Sequence, residues 1–242
     1  VIKDALHMIN PLEVVGSLNR PNIFYTKVFR SGPDIESYEE ILTPIAKDLL
    51  AQKIEYPLTI VYLSLRWCGF AYRLFERILG PEQYFPAGVD PIPENRLFSQ
   101  FHSPQTATMK QQILQELGRS SSKLRVVFAT IAMGMGVDIP SIRKIIHIGP
   151  PRTVREYMQE TGRAGRDGSS SQVLLFYNNR DIAKNRKGIS EDIRAYCHLE
   201  HSCLREYLLN CLDAGLKTEE QLIGHLCCSN CSLVCDCVSC TV

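Results

Sequence analysis

A chain of 242 residues that is 45% hydrophobic is long and apolar enough to bury one α/β domain plus a smaller appendage, which excludes general disorder. Its 27 basic and 26 acidic residues nearly cancel, so a uniformly basic nucleic-acid coat is excluded and any phosphate-binding surface has to be local. No stretch approaches the roughly 18 to 20 apolar residues of a membrane span, and the opening VIKDALHMINPL has no cationic segment leading into an apolar run.

Residues 1–57 read as a lead-in. Arg20-Pro21-Asn22 forces an extended or turning path before Ile23-Phe24-Tyr25, and Ile35 to Gln52 carries a helical apolar rhythm. Repeating α/β units follow. Thr59 to Ser64 (TIVYLS) is a short β-branched strand, and Arg66 to Leu79 is a helix that Gly80-Pro81 ends. A proline-rich loop precedes a second strand, Arg96 to Phe101, and Gln105 to Leu117 supplies an amphipathic helix. Leu124 to Ala129 is continuously apolar, as a parallel strand covered on both faces should be. Arg143 to Ile148 and Val173 to Tyr177 are further strands, with a helix around Thr153 to Thr161 between them. Strands alternating with helices predict a doubly wound parallel sheet, with a domain boundary between Tyr177 and Ser190. Tyr62 and Trp67 are read as core or interface residues rather than base-stacking ones.

Ten cysteines are distributed unevenly: Cys68 stands alone before nine between Cys197 and Cys240. A cysteine-poor domain followed by a cysteine-dense tail predicts a zinc appendage in a reducing compartment, with disulfides or inert thiols as the alternatives. Cys211 is expected to pack within its helix.

Two segments carry chemistry. In FATIAMGMGVDIP, Phe128 to Pro140, Thr130 follows a buried strand, Gly134 and Gly136 permit close backbone approach, and Asp138 adds a fixed anion. In QETGRAGRDG, Gln159 to Gly168, Arg163 and Arg166 lie three apart, on one helix face or directed into a cleft by a glycine turn. The arginine fork suits phosphate oxygens and charge developing on a transferred phosphoryl group. Basic residues are enriched locally, with ten Lys or Arg against four Asp or Glu from Arg143 through Lys187. No GxxxxGK[ST] phosphate loop and no DEAH-like acidic strand end occur in the chain, so it is expected to be inactive toward ATP by itself.

Together ATIAMGMGVDIP and QETGRAGRDG resemble the fifth and sixth motifs of the RecQ family of DNA helicases, over roughly Thr59 to Tyr177 and upstream through RPNIFY. The resemblance implies a RecA-like parallel sheet covered by helices over residues 58–185, the second lobe of a 3′ to 5′ ATP-dependent DNA helicase, followed by a small helical zinc-binding region over 186–242. It implies that Arg163 and Arg166 approach nucleotide phosphates, with Arg166 first choice as arginine finger. Gln159 would support the interlobe network, Gly136 and Asp138 would border the nucleotide, and Asp138 would help couple its state to the DNA track. ATP and Mg2+ would be shared with a first lobe that this chain lacks, and single-stranded or forked DNA would be the partner. Ser64, Arg66, His102 and Thr130 become candidate DNA contacts; for Ser64 the alternative is helix capping, for Arg66 a surface role at the helix start, for His102 loop stabilisation. Carried over in the same way, Cys203, Cys228, Cys231 and Cys235 are the structural zinc ligands. A nuclear setting in a eukaryote, or a cytoplasmic one otherwise, is expected. The chain opens without an initiator methionine and closes soon after Cys240, so it is expected to be part of a longer product, without room for a winged-helix module. The alternative function is a non-catalytic nucleic-acid-binding or scaffold module.

Overall fold

A computed structural model of the chain describes residues 18–32, 34–130, 139, 141–212 and 224–238. Six strands form one all-parallel sheet: β1 (Ile23–Phe29), β2 (Thr59–Tyr62), β3 (Phe98–Phe101), β4 (Val126–Ala129), β5 (Lys144–Ile148) and β6 (Ser171–Tyr177). Their spatial order is β1-β6-β5-β2-β4-β3. The period-2 geometry of a strand divides each of them between two cores. Ile60, Val127, Ile145 and Val173 face one core, whereas Val61, Val126, Phe128 and Ile146 face the other. Burying each of these side chains contributes about 1.5 to 3 kcal/mol, so neither face tolerates a polar residue without a partner.

Two helices fill the second core. In α1 (Asp34–Gln52), Tyr38, Leu42, Ile45, Ala46 and Leu49 are buried; in α2 (Leu65–Leu79), Trp67, Cys68, Ala71, Leu74, Phe75 and Leu79 are. Both sets recur at three- and four-residue spacing, the stripe a core-facing helix needs. Helix α2 stops at Gly80, whose N–H still bonds the Glu76 carbonyl while its φ of 52° turns the chain out of the helix. Tyr38 stacks on Trp67 with ring centroids 3.9 Å apart, so Trp67 packs in the core, as Tyr62 does. Helices α3 (Ala107–Gly118) and α4 (Val154–Thr161) begin at threonine caps: the Thr106 and Thr153 side chains accept the Met109 and Glu156 amides.

The lead-in extends less far than its sequence implies. From Ile23 onward it is part of the lobe, because β1 pairs with β6 over seven residues and α1 packs on α2. Alternation in IFYTKVF is weak because β1 is an edge strand whose later residues, Val28 and Phe29, are exposed. The outer side of that edge is covered by the C-terminal region: α5 (Glu191–His198), α6 (Leu204–Leu212), α7 (Gly224–Cys227) and α8 (Ser229–Leu233). Tyr25 and Cys228 form an isolated parallel bridge there, and the Lys27 ammonium donates to the Cys197 carbonyl at 2.7 Å. Covering an open strand edge in this way removes a template for aggregation. Among the described residues no helix is long and apolar enough to cross a membrane.

Candidate functional site

Four of the predicted residues lie along one rim of the sheet. Ser64 follows β2, His102 follows β3 and Thr130 follows β4, and β2, β4 and β3 are adjacent parallel strands. Strands about 4.8 Å apart therefore set these three loops in a row about 10 Å long. Ser64 is exposed and its side chain makes no capping bond to α2; its carbonyl alone accepts the Trp67 and Cys68 amides. Capping through the side chain is thus not what holds this hydroxyl. Arg66 is exposed and its guanidinium lies over the Trp67 ring, 5.1 Å from its centroid. The Thr130 amide is tied to the Phe101 carbonyl at 3.1 Å. His102 is half-buried, and its amide bonds the Gln105 side chain at 2.9 Å. Desolvation holds its imidazole below the usual histidine range, so near neutral pH it offers a hydrogen bond rather than a full charge.

The same rim continues past β5, β6 and β1 into a cavity of about 510 Å³, lined by Ser64, Arg152, Arg180, Lys187 and the Arg30–Asp181 pair among others. Arg30 is buried and fixed: its Nη2 lies 2.9 Å from Asp181, and its Nη1 donates to Asp34 and Ser37. Arg186 takes the second Asp181 oxygen at 2.8 Å. Sequence reasoning did not single out Arg30, Arg152 or Arg180 by number; the signal available for the latter two was the excess of cations from Arg143 through Lys187.

At the other end of α4 the two motif arginines part. Arg163 is buried and Arg166 exposed, because the helix ends at Thr161 and the chain turns sharply. Arg163 sits against a buried group that sequence reasoning left unassembled: His147 Nε2 lies 2.8 Å from Glu160 Oε2, and the His147 ring stacks on Tyr62 with centroids 4.7 Å apart. Burial first, then the Glu160 carboxylate, pushes the Tyr62 phenol well above its usual range against the opposing pull of Arg163, so Tyr62 stays neutral. Gln159 lies on the exposed side of α4, beside a second cavity bordered by Arg20, Tyr25 and Arg155. Gly136 and Asp138 lie outside the described residues, as does Gly134.

What holds the arginine turn is the lead-in. The Arg20 guanidinium donates to the carbonyls of Gly162, at 3.3 Å, and Ala164, at 3.1 Å, and the Asn22 amide donates to those of Gly165 and Ser169, both at 2.8 Å. Asp167 accepts the Ser169 amide at 3.0 Å and Arg143 at 2.5 Å, which, in that order, hold its carboxyl below the usual range. Gly165 has φ +54°, and a Cβ there would stand 2.4 Å from Asn22 Nδ2 and 2.5 Å from the Ser169 carbonyl. Gly165→Ala is therefore expected to destabilise the protein by about 2 to 4 kcal/mol, the sum of left-handed strain and overpacking, read as a lowered denaturation midpoint. A midpoint equal to that of the parent would show that the turn relaxes freely.

The C-terminal thiols converge. Cys203, Cys227, Cys228 and Cys231 offer sulfurs all within 4.8 Å of one another. The Cys203 and Cys227 sulfurs are 3.6 Å apart, close to the edge of about 3.8 Å that a tetrahedron of 2.3 Å Zn–S bonds requires. Hydrogen bonds from the Cys203 and Cys227 thiols, then from the Cys231 and Leu204 amides, hold Cys228 well below the usual thiol range. Burial, then the Cys228 and Cys203 side chains, pushes Cys231 up to about 12. Crowded thiols that cannot all ionise unaided, with amides aimed at their sulfurs, are a donor set suited to a divalent cation. Cys235, expected as the fourth ligand, is not in this group. Cys227 takes that place because Cys228 caps α8, which begins at Ser229 and carries Cys235 past its end, toward His225. Cys211 lies on α6, as expected, but on its exposed face. Cys240 lies outside the described residues.

Comparison with known proteins agrees with this geometry. The family described as "Helicase conserved C-terminal domain" matches residues 92–168. The ATP-dependent DNA helicase RecQ of Haemophilus influenzae is 31% identical over 186 residues, covering 77% of this chain and 26% of that protein. ATP-dependent DNA helicase Q-like 2 of Arabidopsis thaliana is 27% identical over 211 residues, covering 84% of this chain and 27% of its own length. The chain thus spans about a quarter of the length of these relatives. Among solved structures, Dbp5 of S. cerevisiae bound to RNA and ADP BeF3 superposes with a TM-score of 0.53 at 16% identity, covering 74% of this chain and 42% of that one, a likeness of fold.

Proposed function

We propose, from the premise that this chain is a RecQ-like helicase domain of the RecA fold with a C-terminal cysteine and histidine cluster, that it is the second lobe of a 3′ to 5′ ATP-dependent DNA helicase. The observation that carries this reading is the turn after α4. It holds Arg166 exposed on a backbone clamped by Arg20 and Asn22, with Arg163 buried behind it.

In this reading ATP and Mg2+ are held by another lobe, and hydrolysis supplies the energy for movement along DNA. Arg166 faces the γ-phosphate across the interlobe cleft and neutralises charge that develops there, which needs a rigid fork more than a flexible one. Arg163, packed on Tyr62 and the His147–Glu160 pair, connects that turn to β2 and β5. Gln159, on the open side of α4, contributes to the interlobe network. Across the sheet rim, Ser64, Thr130 and His102 take DNA phosphates as neutral hydrogen-bond donors, with Arg66 and Arg152 adding charge. Such contacts grip the backbone without reading bases. Cys203, Cys227, Cys228 and Cys231 would hold a structural Zn2+, which closes the helical region onto β1. Because α7 and α8 are only four and five residues long, too short to hold their shape alone, chelation is expected to melt this region first. A melting curve unchanged by chelator, with zinc absent from native protein, would remove the metal from the account.

The test is single-stranded-DNA-stimulated ATPase activity of the chain alone and mixed with a matching nucleotide-binding lobe. Activity in the mixture alone is expected. Activity of the chain alone would place a nucleotide cradle within it and overturn the half-motor. DNA binding with no complementation would instead favour a non-catalytic nucleic-acid-binding module.

A further inference from the structure

Beside the four-thiol group lies a second cluster. His225, Cys235 and Cys237 offer one ring nitrogen and two sulfurs, all within 4.8 Å of one another, and each residue is partly exposed. His225 Nδ1 is 3.1 Å from the Cys237 sulfur and 3.6 Å from that of Cys235. One imidazole nitrogen carries at most one proton and has a single in-plane direction, so it cannot make two good hydrogen bonds to two sulfurs. Three donor atoms within 4.8 Å of one another, two of the separations 3.1 and 3.6 Å, instead suit the face of a tetrahedron built on bonds of about 2.0 to 2.3 Å. Local backbone also favours the closure. Gly224 lets the later chain fold back across the start of α7, since a Cβ there would stand 2.6 Å from the Cys231 carbonyl and 2.9 Å from Cys235 Cβ.

We infer that His225, Cys235 and Cys237 form a second zinc site, separate from the group of Cys203, Cys227, Cys228 and Cys231. Two sulfurs and an imidazole are a borderline-soft donor set, which selects Zn2+ over Mg2+ or Ca2+. The site differs from its neighbour in exposure: Cys227 and Cys228 are buried, whereas none of these three ligands is. Its ion is therefore the more exchangeable, and a chelator reaches it first. All the ligands of both sites except Cys203 fall within residues 225–237, so each ion stiffens the other's surroundings. This inference does not depend on the helicase reading.

Zinc per chain, measured by elemental mass spectrometry on full-length protein saturated with Zn2+ and freed of excess, decides the matter. Two ions are expected in the parent and one in the triple variant His225→Ala, Cys235→Ser, Cys237→Ser. Since the three positions are partly exposed, the triple variant is expected to keep its far-ultraviolet circular dichroism. Co2+ substitution supplies the second readout: the parent is expected to show a mixed sulfur and nitrogen signature that the triple variant lacks, with the all-sulfur signature retained. One ion in the saturated parent, or two in the triple variant, would overturn the site. So would identical Co2+ spectra in the two proteins.

Discussion

Replacing Arg166 by alanine, in this chain joined to a nucleotide-binding lobe, is expected to lower DNA-stimulated ATP turnover by about 10³-fold or more, the range for arginine fingers. Affinity for single-stranded DNA and the melting temperature are expected to stay near those of the parent. The dissociation of effects follows from placement: Arg166 is exposed on its turn, whereas the DNA-contact candidates lie along the rim at Ser64, Thr130 and His102. Arg163→Ala provides the contrast, because Arg163 is only 8% exposed and removing a buried guanidinium disturbs the packing around Tyr62 and Glu160. It is expected to lower stability and turnover together. Lysine at 166 should recover little, since a point charge does not reproduce the planar fork. Equal turnover for the parent and Arg166→Ala would sink the finger assignment, and loss of DNA binding in step with turnover would move Arg166 from the nucleotide to the track.

The parallel sheet was legible because buried parallel strands leave short apolar runs, as in Val126–Ala129, and because glycines and prolines punctuate the helices between them. β1 was not, since an edge strand needs only one buried face and that face, Ile23 and Tyr25, is short. The arginine pair stood out in the sequence, but its geometry did not. Spacing of three offered a shared helix face or a turn into a cleft; the structure has a turn, and it sends the two side chains to different environments. His147–Glu160 and the clamp of Arg20 and Asn22 join residues far apart in sequence, which no local pattern encodes. In the tail, the number of thiols marked a metal region, yet adjacent Cys227 and Cys228 left the register open. Only the capping of α8 by Cys228 decides which of the later cysteines turn away, and the place of His225 in the second group carried no spacing signal at all.

Arg205→Ala is expected to destabilise the protein by about 2 to 4 kcal/mol, the cost of leaving buried carbonyls without their charged donor and of opening a void. Arg205 is 5% exposed and its guanidinium donates to Asn19, to the Arg20 carbonyl at 2.6 Å, to the Ile23 carbonyl, and to the Cys227 carbonyl at 3.3 Å. It also lies over the Tyr25 ring, 5.3 Å from its centroid. Alanine leaves those carbonyls buried without their donor and opens a void beside β1. The consequence reaches further than stability. Arg205 connects the thiol group, through Cys227, to Arg20, and Arg20 in turn connects to the backbone of the arginine turn at Gly162 and Ala164. The thiol region is thereby tied to the backbone of the turn that carries Arg166. Zinc retention, melting temperature and turnover of the reconstituted motor should therefore fall together in Arg205→Ala. Double-mutant cycles with Arg20→Ala should be non-additive, because Arg205 holds the Arg20 backbone from which that side chain reaches the arginine turn. Lost stability with full turnover would confine Arg205 to holding the tail in place, and strictly additive effects would break the connection between the metal region and the turn.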